Sequence, residues 1–104
     1  MKEKDLLLKD LCARLPYGTK IHIIGEGGEE IDADLTTSAI VYFDMWTVKP
    51  YLRPMKSRTE QERKDLEWML YEWDRVDYYN AHHFDYRGLI PKGLALEAPK
   101  GMYE

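Results

Sequence analysis

The chain carries a single cysteine, Cys12, which excludes an internal disulfide and fits a reducing compartment. It has no apolar run near the roughly 20 residues that span a bilayer. Leu6-Leu7-Leu8 is cut off by Lys9 and Asp10, too short for the core of a secretion signal. A net positive charge is also missing: 15 Lys and Arg against 19 Asp and Glu leave −4, with a pI near 5.4. That balance disfavours whole-molecule attraction to nucleic acid or to an anionic membrane. No GxSxG, HExxH, P-loop or paired-carboxylate pattern is present, and no nucleophile stands beside a base, so enzymatic activity finds no support. The expectations from these absences are a cytoplasmic location, no membrane partner and no cofactor.

What the chain does have is aromatic side chains, with eight Tyr, three Trp and two Phe among 104 residues. Each large ring can bury on the order of 150–250 Å², so a core this small needs few of them. Some of the tyrosines therefore belong at the surface or at a contact.

The pattern predicts a single α+β domain: an N-terminal helix, a three- to four-stranded antiparallel meander, then one or two C-terminal helices and an ordered tail. Leu7, Leu8, Leu11, Cys12 and Leu15 fall at helical spacing over residues 3–15, with Asp10 outside the stripe and Cys12 read as a buried small hydrophobe. Pro16-Tyr17-Gly18 ends that helix. Residues 19–49 turn to β character. Thr19–Ile24 and the alternation of Ile31, Ala33 and Leu35 with Asp32 and Asp34 flank a Gly25-Glu26-Gly27-Gly28 hairpin loop. Ser38–Phe43 reads as the strongest strand, and Met45–Val48 as a shorter one.

Residues 49–58 read as a stiff, basic, proline-broken connector. Thr59, with Glu62 three residues on, is a capping-box signature opening a helical region over 60–87. Leu66, Met69, Trp73 and Val76 are its expected core stripe. The region forms one helix or breaks near Asp77–Asn80, with Gly88 closing it before a Gly- and Pro-bracketed tail over 88–104.

Four groups of residues are candidates for function. His82 and His83 invite a metal, but neighbours on a helix diverge by about 100°, and zinc-type i, i+4 spacing is absent; no metal site is assigned. Asp85-Tyr86-Arg87 offers an arginine fork for an anion or peptide, against the commoner role of Arg87 as a cation at a helix C-terminus. Lys49, Arg53, Lys56 and Arg58 beside Tyr51 form a basic run able to meet single-stranded nucleic acid, although a solvated loop is the plainer reading. Glu26, Glu29, Glu30, Asp32 and Asp34 form an acidic pole, read as a wet strand edge.

Three phrases, Leu11-Cys12-Ala13-Arg14-Leu15-Pro16-Tyr17-Gly18, Lys49-Pro50-Tyr51-Leu52-Arg53-Pro54-Met55 and His82–Ala98 with its His-His-Phe-Asp-Tyr-Arg-Gly-Leu-Ile opening, together give the chain a resemblance. It resembles small proteins carried by phages, prophages and mobile elements of Bacteroidales-type gut bacteria. The resemblance spans both termini and the middle, and it implies a phage-like context without supplying an activity or catalytic residues. The expected function is a non-enzymatic accessory protein that binds a host or phage protein, with Tyr51, Arg53, Tyr86 and Arg87 as contacts. Nucleic-acid binding through Lys49, Arg53, Lys56 and Arg58 is the alternative.

Overall fold

The computed structural model describes residues 2–103 and has an α+β fold. Helix α1 (Lys2–Arg14) runs into a single 3₁₀ turn at Leu15–Tyr17. Pro16 stops the helix there, and Gly18 reverses the chain at φ +68°, a conformation few side chains tolerate. Strands β1 (Lys20–Ile24) and β2 (Glu30–Asp34) then form an antiparallel hairpin that pairs Lys20 with Asp34 and Ile24 with Glu30. Its loop closes through Gly25 N–H to the Glu29 carbonyl at 2.8 Å.

The expected strand over Ser38–Phe43 is instead a one-turn helix, α2 (Thr37–Val41), followed by a turn. The burial pattern explains the correction. Leu35, Ala39 and Phe43 are buried, whereas Thr37 and Val41, which a strand would place on the same face as those three, are exposed; a helical turn at Thr37–Val41 keeps Ala39 inward and turns Thr37 and Val41 out. Strand β3 (Thr47–Leu52) takes in Lys49-Pro50-Tyr51-Leu52, so the first four residues of the expected irregular connector are sheet. Pro50 is tolerated because β3 has β1 on one side at that level and no strand on the other.

The sheet order is β2-β1-β3-β4, so the meander expectation is corrected twice. Strand β3 returns to pair with β1 rather than β2, and the two-residue β4 (Leu96–Glu97), drawn from the tail, adds in parallel to Tyr51 and Leu52. One face of the sheet carries Ile21, Ile23, Val48 and Leu52 into a hydrophobic cluster with Leu7, Leu11, Leu35, Ala39, Phe43, Leu89 and Ala95. The other face is polar, bearing Lys20, His22 and Tyr51.

The helical region 60–87 is two helices, α3 (Glu60–Glu67) and α4 (Glu72–Ala81). The break falls at Trp68–Tyr71 rather than near Asp77–Asn80, and α4 ends before Gly88. Thr59 makes the expected reciprocal capping box with Glu62. No residue between 60 and 81 belongs to the main hydrophobic cluster. Trp73, expected in the core, is 64% exposed, whereas Leu66 is buried and Met69 and Val76 are half-buried.

The α1 stripe also differs from expectation: Leu7 and Leu11 are buried, but Cys12 is exposed and Asp10 is fully buried. Asp10 lies inside because Arg14, one turn on and equally buried, donates Nε–H to it at 2.8 Å. No described helix is long and apolar enough to cross a membrane.

Candidate functional site: a polar cleft and an aromatic groove

Two concavities lie on either side of Tyr78. The first is a polar cleft of about 800 Å³ between the end of β3, the start of α3 and the tail at 97–103. Its chemistry centres on Glu62. Arg53 grips both carboxylate oxygens of Glu62 at 2.7 and 2.8 Å, and His82 Nδ1 lies 3.1 Å from Oε2. The fork of Arg53, with the backbone N–H that Thr59 donates at the cap, holds the Glu62 carboxyl down to about 2. Across the cleft, Tyr78 donates to Asp65 at 2.9 Å; burial, helped by that carboxylate, pushes its hydroxyl up to about 12. These groups satisfy one another, so the cleft is a seam joining α3 and α4 to the sheet.

The second concavity is a groove of about 610 Å³ at the elbow between α3 and α4. One wall is a face of α4 carrying Asp74, Asp77, Tyr78 and Ala81, which fall together at i, i+3 and i+4 spacing. The other is the elbow itself, Trp68-Met69-Leu70-Tyr71, with Tyr17 from the turn after α1. Trp68 is 84% and Leu70 87% exposed. The elbow holds its shape through Arg75, whose guanidinium donates twice to the Met69 carbonyl, and through Tyr71 stacked on Trp73 at 4.5 Å. None of these residues was singled out in the sequence as a contact. The signal was the run Trp68-Met69-Leu70-Tyr71-Glu72-Trp73, five apolar or aromatic residues in six, which no single helix face can bury.

The residues that were singled out go elsewhere. Tyr51 donates to Asp32 at 2.8 Å, and its carbonyl accepts from the Tyr103 hydroxyl at 2.7 Å. Arg53 is the Glu62 clamp and lies over the Phe84 ring at 4.3 Å. Arg87 does not cap a helix; it donates to Asp10 at 3.0 Å and to the Tyr86 hydroxyl at 2.9 Å. Tyr51, Arg53, Tyr86 and Arg87 are thus divided among separate internal networks.

The basic run 49–58 is divided as well. Lys49 sits on β3, Arg53 is clamped, Arg58 donates to the Met55 carbonyl, and Lys56 is exposed at the cleft. On the acidic pole, His22 bridges Asp32 and Glu30 at 2.7 and 2.8 Å, and its pKa is raised chiefly by the bond to Asp32.

The two neighbouring histidines part company. His82 stacks on Tyr78, while His83 takes φ +64° and stacks on Tyr103 at 3.8 Å, with Nδ1 3.1 Å from the Thr19 hydroxyl. Burial, and then the nearby cation of Arg14, push His83 down to about 4. Among the described residues, no group of three His, Cys, Asp or Glu is placed to hold a metal ion. No family model, curated protein or solved structure matches the chain.

Proposed function

We propose that this chain is a non-enzymatic accessory protein of a phage or mobile element that acts by binding another protein, and that it binds through the elbow between α3 and α4. One observation carries the binding surface: Trp68, Leu70, Tyr71 and Trp73 stand exposed together on a part of the chain that contributes nothing to the main core. Exposed aromatic side chains gathered in a groove are the usual anchors of a protein interface, and solvent exposure of so many is costly without one. The phage context rests on the sequence resemblance alone. The contact surface moves away from Tyr51, Arg53, Tyr86 and Arg87, whose polar groups already have internal partners. Nucleic-acid binding is the weaker reading, because Arg53 and Arg58 of its basic run are engaged internally.

The test is capture of a nuclease-resistant partner from native-host lysate by the wild-type protein and by Trp68→Ser/Leu70→Ser. Both side chains are exposed, so the variant should keep its Tm within a few degrees. Loss of the partner by the folded variant is expected; equal recovery by both proteins overturns the placement.

A further inference from the structure

We infer that the elbow groove receives a cationic segment of another protein, a stretch in which an apolar anchor is flanked by Lys or Arg. The inference rests on the docking reading above and adds the chemistry of the partner. The lining of the groove is asymmetric in charge. Among the described residues, Asp74 and Asp77 are its only ionic ones, and no Lys, Arg or His lines it. Both carboxylates are exposed, and among the described residues neither has a hydrogen bond or ion pair. The nearest basic residue on the helix, Arg75, turns its guanidinium to the Met69 carbonyl.

Glu67 and Glu72, both exposed, flank the elbow and deepen the negative field. Beside the two carboxylates stand Trp68, Tyr71 and Tyr78, whose ring faces attract cations. A Lys or Arg side chain suits this pairing: its stem lies on the rings and its charged head meets Asp74 or Asp77. A leucine-like anchor then packs against Leu70 and Met69.

The same charge argues against the other occupants. A second copy related by a two-fold axis would bring Asp74 and Asp77 toward their own counterparts. An anionic membrane or a nucleic acid would face the carboxylates directly.

The experiment titrates the full chain with three synthetic 12-residue peptides that share their leucine positions and carry Lys, Gln or Glu at the others. Tryptophan emission follows binding, since Trp68 and Trp73 both sit at the elbow. The Lys peptide is expected to bind at least about tenfold more tightly than the Gln peptide, and the Glu peptide more weakly still. Asp74→Asn/Asp77→Asn should weaken the Lys peptide about tenfold and flatten its dependence on salt. Glu26→Gln/Glu29→Gln, which removes the same charge from the β1–β2 loop outside the groove lining, should leave binding within about twofold.

Equal weakening by the two double variants would reduce the effect to net charge and overturn the inference. So would equal affinity for the Lys and Gln peptides, or no binding of the Lys peptide. A concentration-dependent dimer abolished by Trp68→Ser/Leu70→Ser would assign the groove to self-association and overturn it as well. The two readings fail separately: a natural partner captured by Asp74→Asn/Asp77→Asn but lost from Trp68→Ser/Leu70→Ser sinks the cationic partner and keeps the groove, whereas equal recovery by wild type and Trp68→Ser/Leu70→Ser sinks the groove itself.

Discussion

Asp10 shows how a single residue can be structural where its type suggests surface. It is fully buried, and it accepts from Arg14 at 2.8 Å and from Arg87 at 3.0 Å. Arg14 in turn donates to the Phe84 carbonyl at 2.6 Å, so this one carboxylate fastens α1 to a segment more than 70 residues away. Replacing one member of a buried charge cluster leaves the other charges without compensation, a penalty of about 3–5 kcal/mol. Asp10→Asn is therefore expected to lower Tm by more than about 10 °C or to prevent folding. A thermal melt within a few degrees of wild type would show that the cluster carries little of the stability. In the sequence the residue was placed outside the apolar stripe of the helix. The Asp10–Arg14 spacing of four was visible, but only the fold supplies the second arginine that makes burial tolerable. Cys12 was misplaced for the matching reason: the position given to it in the core stripe is solvent, and the neighbouring stripe of Asp10 and Arg14 faces inward.

At the scale of elements, Glu62 does three things at once. It closes the capping box of α3, binds Arg53 at the end of β3 and meets His82 at the end of α4. Its carboxyl takes up a proton near pH 2 in the folded protein and near 4.5 in the unfolded chain. Its contribution is therefore complete above pH 4.5 and is lost as pH falls toward 2, by about 3 kcal/mol at most. Glu62→Gln should lower stability at pH 7 and remove most of the slope between pH 4.5 and 2. A variant that keeps the full slope would place the acid sensitivity elsewhere. His83 supplies a separate loss between pH 6.5 and about 4, where only the unfolded chain gains the proton.

Legibility in the sequence divides along the same lines. The capping box, the Gly25–Gly28 hairpin and the stop at Pro16-Tyr17-Gly18 were readable, because each depends on a few adjacent residues. Strand β4 was not, because two residues of a Gly-bracketed tail become a strand only where β3 offers them an edge. The helix at Thr37–Val41 was not readable either, because Leu35, Ala39 and Phe43 recur at a spacing of four that also fits one face of a strand, and β-rich composition decided the reading.

For the whole molecule, the division of labour is between a core built from α1, α2 and the sheet, and an elbow that spends its aromatic side chains on solvent. The polar cleft holds the two parts together through Arg53–Glu62, while Tyr78–Asp65 ties α4 to α3. The sequence showed the surplus of aromatics and led to the expectation of a contact surface. It did not show where that surface lies, since Trp73 fits a core stripe by spacing, and only the break at Trp68–Tyr71 turns it outward.

The central claim is that the elbow groove is where a partner protein docks, and photocrosslinking tests it most directly. A photoreactive amino acid at Leu70, 87% exposed in the groove, and one at the exposed Glu26 of the β1–β2 loop, outside the groove lining, compare the two surfaces in native-host lysate. The account predicts a discrete, nuclease-resistant protein adduct from position 70 and none from position 26. An adduct from position 26 with none from position 70 would contradict it.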